Sequence, residues 1–253
     1  MSRFTGKVTI VTGGASGIGA AIGSQLVAEG ASVVLLDRNA EGLAGKTGDR
    51  VAVSAGDVTD ERDVQAAASL AAERFGGIDL AFNVAGTARM GAITDISAED
   101  WISTVDVALK GTFLMTRHAA RAMRDRGGGA IVNVASLNAH VPMYGGSSYS
   151  AAKAGVENFT KTAALELAED RIRVNAVLPG LVDTPLTESF FQVPELAQDF
   201  TNRIPLRRAA APDEIADPCL YLASEQAGYI TGTSVVVDGG WEISNYPDLK
   251  PYR

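Results

Sequence analysis

The chain has 253 residues, 46% of them hydrophobic and 21% charged, with 27 glycines and a formal net charge of −8. That size and composition suit one α/β domain of the larger sort. The acid excess speaks against nucleic acid as a partner, and a single cysteine, Cys219, excludes an internal disulfide and a cysteine-based metal site.

A reducing, cytoplasmic setting is expected. Residues 1–7 are too short and polar for a signal peptide, and no run approaches the ~20 apolar residues of a membrane span. Beyond them, apolar runs of strand length alternate with stretches of helical period, the pattern of repeated βαβ units.

The first strand is expected over residues 8–11, apolar on both parities as in a sheet covered by helices on both faces. Behind it stands Thr12-Gly13-Gly14-Ala15-Ser16-Gly17-Ile18-Gly19, which opens a helix over 17–29. Its glycines permit a sharp turn and let a pyrophosphate approach the free amides and positive dipole of a helix N-terminus. The second strand, 32–36, ends at Asp37, eighteen residues beyond Gly19. A carboxylate there accepts the ribose hydroxyls of NAD and repels the 2′-phosphate of NADP. Arg38 follows it, while Ser16 places no positive charge in the turn.

A helix over 39–46 leads to a third strand, 51–54, followed by Asp57; a helix over 61–75 leads to a fourth, 80–83, ending at Asn83. Both polar residues sit at carboxyl ends of strands, where a cofactor at the switch point lies, and either could instead cap a turn. One long helix is expected over 98–124, begun by Ser97. His118 within it, beside Arg117 and Arg121, reads as solvated, and Arg89 before it reads as a surface residue.

The fifth strand, 130–134, runs into Ser136, and thirteen residues on, opening a helix over 149–168, stand Tyr149 and Lys153. Four residues apart on a helix, the two share one face. A phenol near its ordinary pKa of ~10 is a poor acid, and an adjacent ammonium stabilises the phenolate. With Ser136 bonding the same substrate oxygen, the three make a proton-transfer site for a carbonyl or carbinol.

The loop between them offers Asn138, His140, Met143 and Tyr144 to a substrate. With Phe190 and Phe191 of the irregular stretch 183–206 they suggest a moderately hydrophobic pocket, the stretch being a lid or a surface excursion. A sixth strand over 173–178, a helix over 213–222 begun by Pro212 with Cys219 as a small buried residue, and a seventh strand over 234–237 complete a single-domain, seven-stranded doubly wound parallel sheet. The aromatic tail 241–253, with Trp241, Tyr246 and Tyr252, either reaches a neighbouring subunit or stays with its own.

Together these motifs resemble the short-chain dehydrogenase/reductase family, from Lys7 to Gly240. The glycine motif matches at Thr12, Gly13, Gly17 and Gly19, and the Asn-x-Ala-Gly turn at Asn83, Ala85 and Gly86, with Val84 where a second asparagine is frequent. The catalytic serine, tyrosine and lysine match Ser136, Tyr149 and Lys153, and the Pro-Gly turn and its threonine match Pro179, Gly180 and Thr184.

The resemblance implies a Rossmann-type fold, usually a homotetramer, that transfers a hydride between NAD and a secondary alcohol or ketone. NAD would be held by Gly13, Ser16, Gly17, Ile18, Gly19, Asp37, Asn83, Ala85, Gly86, Tyr149, Pro179 and Gly180. Asp57 and Val58 would meet the adenine, Lys153 the nicotinamide ribose, and Val182 and Thr184 the carboxamide. Tyr149 would act as general acid/base, Lys153 would lower its pKa and Ser136 would hold the substrate oxygen; no metal, membrane or nucleic acid is implied.

One position departs: Ala108 stands where the family usually has an asparagine that supports a water relaying protons to the lysine. The departure bears on the relay more than on hydride transfer. A 3-oxoacyl-thioester (acyl carrier protein) reductase is the second reading, against which Asp37 and Ser16 count; a catalytically decayed NAD-binding regulatory protein is the third, with Ala108 its sole motive.

Overall fold

Strand β1 (Val8–Thr12) is buried along its whole length in the computed structural model, which describes residues 2–244. It lies inside a seven-stranded sheet with β2 (Ser32–Asp37), β3 (Val51–Ala55), β4 (Leu80–Asn83), β5 (Gly129–Val134), β6 (Ile172–Pro179) and β7 (Ser234–Val237). All pairs are parallel, in the order β3-β2-β1-β4-β5-β6-β7. Progression along the chain reverses between β1 and β4, which opens a crevice at their carboxyl ends.

Alternation along each strand feeds two cores. In β2, Val33 and Leu35 join Ile22 and Leu26 of helix α1 (Gly17–Ala28) on one face. Val34 and Leu36 join Val64 of α3 (Glu61–Phe75) and Met115 of α5 (Gly111–Arg124) on the other. Burial on both faces is why the strands read as continuous apolar runs. Helix α9 (Pro212–Ala223) packs beside α1, with Cys219 fully buried.

Two helices differ from expectation. The segment 39–46 shortens to α2 (Ala40–Leu43), because Ala44 turns extended and Gly45 takes φ of 75°. The long helix over 98–124 is α4 (Ala98–Val105), a π-helical turn (Asp106–Lys110) and α5. A π turn adds one residue without ending the helix, so the hydrophobic period hardly registers it. Ser97 caps α4, its hydroxyl accepting the Asp100 N–H at 3.0 Å.

Helix α6 (Ser147–Leu167) runs beside the π turn and β6. The irregular stretch forms α7 (Glu188–Phe191) and α8 (Pro194–Arg203). Among the described residues no helix is long and apolar enough to cross a membrane.

Candidate active site

At the carboxyl ends of the strands lies a cavity of about 250 Å³, reached by Gly13, Ser16, Gly17, Ile18 and Gly19 after β1 and by Ala85 and Gly86 after β4. Asp37, Pro179, Gly180, Val182 and Thr184 complete its rim, and Ser136, Tyr149 and Lys153 stand at its inner end. A smaller cavity of about 80 Å³ continues past Asp37 to Asp57 and Val58.

The cleft fits a dinucleotide. Gly13 holds φ of 70°, and a Cβ there would lie 3.1 Å from the Ala85 Cα; a Cβ on Gly19 would lie 2.1 Å from the Gly13 carbonyl oxygen. Ser16 precedes α1 without a side-chain cap, which leaves the first amides of α1 to an anion. The Asp37 carboxylate accepts the Ala15 N–H at 3.0 Å and the Asn39 N–H at 2.9 Å.

Asn83 departs from the expected cofactor contact. Its side chain is buried in the core, where Nδ2 donates to Asn133 Oδ1 at 2.7 Å and to Thr116 Oγ1 at 3.0 Å. Asn133 Nδ2 in turn donates to Thr160 Oγ1 at 2.9 Å. This buried network ties β4 to β5, α5 and α6 beneath the site. The turn after β4 is set by Thr12, whose hydroxyl accepts the N–H groups of Val84 and Ala85 at 2.9 and 3.1 Å.

Ser136 leaves β5 and starts a 3₁₀ turn (Leu137–Ala139). Its hydroxyl accepts the Asn138 N–H at 3.1 Å and donates to Asn138 Oδ1 at 3.3 Å. On α6, Lys153 Nζ lies 5.6 Å from the Tyr149 ring centroid and donates to the Val134 carbonyl at 2.7 Å. Burial pushes the Lys153 ammonium down to about 8. Burial also pushes the Tyr149 phenol above its ordinary value, with the Ser136 hydroxyl pulling the other way. Desolvation is the larger of the two and leaves the phenol raised.

A second cavity of about 230 Å³ adjoins Ser136 and Tyr149 on the other side. Asn138, Met143 and Phe190 line it; His140, Tyr144 and Phe191 do not. His140 instead sits between two carboxylates, Nδ1 2.6 Å from Glu242 Oε1 and Nε2 2.9 Å from Glu157 Oε2. Tyr144 is 94% exposed. The sequence reading missed Phe200 and placed Trp241 in a tail, yet both line this cavity. Phe200 stacks on Phe190 at 5.1 Å between centroids and meets Trp241 edge-on at 5.6 Å. Residues 245–253 of the expected tail, with Tyr246 and Tyr252, lie outside the described residues.

His118 is largely covered rather than solvated, Nε2 lying 3.1 Å from Glu61 Oε1. Burial, with Arg117 and Arg121 adding to it, holds its pKa below the ordinary value.

Residues 13–242 match the family model described as "Enoyl-(Acyl carrier protein) reductase". The chain belongs to the short-chain dehydrogenase/reductase family. It is 42% identical over 247 residues to a D-threitol dehydrogenase of Mycolicibacterium smegmatis, spanning 95% of each chain. It is 39% identical to a 3-oxoacyl-[acyl-carrier-protein] reductase of Thermotoga maritima, covering 95% of this chain and 100% of that protein. Among solved structures, levodione reductase superposes with a TM-score of 0.90 at 35% identity, over 96% of this chain and 100% of the other. This short-chain dehydrogenase/reductase is an oxidoreductase that moves a hydride between a nicotinamide cofactor and an alcohol or ketone.

Ala108, read from the sequence as standing where an asparagine is expected, is buried. It lies in the π turn, 1% exposed, and its carbonyl accepts the Thr112 hydroxyl at 2.7 Å.

Proposed function

We propose that the protein is an NAD-dependent dehydrogenase/reductase of a secondary alcohol or ketone, with Tyr149 as general acid/base. The observation that carries this reading is that Ser136 and Tyr149 line both the glycine-turn cleft and the adjoining apolar cavity, so one pair of hydroxyls faces both cofactor and substrate. The nicotinamide, when bound, takes or supplies the hydride.

In oxidation the Tyr149 phenolate takes the proton of the substrate hydroxyl. The Ser136 hydroxyl leaves Asn138 Oδ1 and donates to the substrate oxygen, holding it at the phenol. The Lys153 ammonium favours the phenolate through its charge and is assigned to the ribose hydroxyls. Reduction reverses these transfers. Asp37 supports NAD over NADP, since a carboxylate repels a 2′-phosphate. Asp57 and Val58 are assigned to the adenine and Val182 and Thr184 to the carboxamide. The stretch 183–206 is assigned as a lid, the assembly as a homotetramer and the setting as cytoplasmic.

The relation to a thioester reductase keeps a 3-oxoacyl-thioester reductase as the second reading; Asp37 and the absence of a basic residue at Ser16 weigh against it. Absorbance at the reduced-nicotinamide band decides between them. The panel holds polyols, hydroxyacyl thioesters, steroids and cyclic secondary alcohols, each with NAD and NADP, beside a Tyr149→Phe control. Turnover of a secondary alcohol with NAD that vanishes in the control supports the proposal. Faster turnover of the thioesters, or with NADP, overturns it.

A further inference from the structure

The cavity beyond Ser136 and Tyr149 is unusual in what it lacks. Among the described residues Tyr149 is its one ionisable lining group. Arg89, next to the lining residue Ala88, is turned to Asp100 at 3.9 Å and is mostly exposed. His140 and Glu242, which flank lining residues, bind each other. Among the described residues no cation therefore meets a substrate carboxylate.

Few polar side chains face further hydroxyls: beyond Ser136 and Tyr149 they are Ser189 at the exposed edge, Asn138 and Thr187. Asn138 Nδ2 donates to the Val141 carbonyl at 2.9 Å, and its Oδ1, which accepts from Ser136 until a substrate oxygen takes that hydroxyl, lies at the reacting end. The Thr187 hydroxyl donates to the Val182 carbonyl. The remaining walls are apolar, chiefly Leu137, Val141 and Met143, and Phe190, Phe200 and Trp241 form an aromatic cover contributed by α7, α8 and the segment after β7. A substrate hydroxyl left unpaired against such walls lowers affinity roughly tenfold or more, and a carboxylate further. At ~30 Å³ per water, 230 Å³ holds roughly eight water-sized groups, the bulk of one substituted ring.

We infer that this site selects an uncharged, compact, ring-bearing secondary alcohol or ketone with a single oxygen at the reacting end, and that Trp241 and Phe200 set this selectivity by closing on the ring. The inference rests on the hydride-transfer reading above and separates the protein from enzymes of polyols and hydroxy acids.

Three alcohols test it with NAD: 4-methylcyclohexanol, its charged counterpart 4-hydroxycyclohexanecarboxylate, and threitol. The expected result is a kcat/KM for 4-methylcyclohexanol at least about tenfold above the other two. Trp241→Ala and Phe200→Ala should raise its KM about tenfold with a smaller effect on kcat. A preference for threitol or the carboxylate overturns the inference while the oxidoreductase reading stands.

Binding supplies a readout without catalysis. The chain has two tryptophans, so Trp101→Phe on α4 leaves Trp241 as the sole indole. In that background combined with Tyr149→Phe, 4-methylcyclohexanone added with NAD should quench the fluorescence saturably, and 4-oxocyclohexanecarboxylate should not. Absence of a saturable quench by the neutral ketone overturns the inference whatever the turnover. A quench in a protein that, with Tyr149 intact, turns over none of the panel supports the pocket assignment and overturns the catalytic reading alone.

Discussion

Asp37 Oδ2 accepts the backbone N–H of Ala15 at 3.0 Å, so the carboxylate that ends β2 also fastens the glycine turn that follows β1. Under the proposed reading, nucleotide selection and turn geometry depend on one side chain. Two substitutions separate them. Asp37→Asn keeps an amide oxygen for Ala15 and loses the charge; Asp37→Ala loses both. Each is expected to lower the NAD-over-NADP ratio of kcat/KM by roughly tenfold or more. Only Asp37→Ala should also lower Tm. An unaltered ratio in both variants would remove Asp37 from cofactor selection.

Tyr149→Phe deletes one hydroxyl from a buried ring and preserves its packing. It should cost roughly 10²–10⁴ in kcat if the phenol transfers the proton, while NADH binding, followed by fluorescence, persists. Ser136→Ala should cost roughly 10²–10³. Wild-type rates in either variant would place the acid/base elsewhere.

Lys153 is 3% exposed, with a carbonyl rather than a carboxylate at 2.7 Å from its ammonium. Its pKa falls from an ordinary 10.5 to about 8 on burial, so the unfolded chain holds the proton more tightly than the folded one. The contribution of Lys153 to stability is then lowest below pH ~8 and rises with pH until ~10.5. Lys153→Met should abolish turnover yet raise Tm at pH 7, by on the order of a few kcal/mol of added stability. The gain should shrink as pH rises towards 10.5. A loss of Tm at pH 7 would show that the ammonium is compensated in the fold.

Much of this architecture was legible in the chain because its signals are local. β2 is apolar on both parities since Val33 and Val34 feed opposite cores, and Gly13 and Gly19 stand where a Cβ would strike backbone. What escaped is tertiary. Asn83 carries no local mark of facing Asn133 and Thr116 rather than the cleft. Phe190, Phe200 and Trp241 lie on three separate segments and become one cover only after folding. His140 is drawn from the pocket by Glu242, more than a hundred residues away.

Ala108 is enclosed in the π turn between α4 and α5, against α6 that carries Tyr149 and Lys153. If the position serves proton transfer to Lys153, an asparagine there changes that transfer and not the cofactor cleft. Ala108→Asn is expected to shift the pH dependence of kcat, with Ala108→Ser as a small control and NADH affinity unaltered. A profile superimposable on wild type, at wild-type Tm, would show that turnover does not pass through this position.

His140 offers the clearest pH dependence of stability. Burial lowers its pKa, but hydrogen bonds to Glu242 and Glu157 and their charges outweigh it, so the imidazolium is favoured above its ordinary 6.5. Lys161 Nζ, 3.6 Å from Glu157 Oε1, is the other charge in the cluster. For a group whose pKa rises on folding, the stabilisation is full below the unfolded value and is lost as pH climbs through the folded one. The clasp joins α6, the loop after Ser136 and the segment holding Trp241, so its loss should register in global unfolding. His140→Gln should therefore lower Tm most between about pH 5 and 6.5, where the carboxylates are ionised and the imidazole is charged. The gap to wild type should narrow above that range and be smallest near pH 9. A gap independent of pH would mean that packing, and not the imidazolium, holds these three segments together.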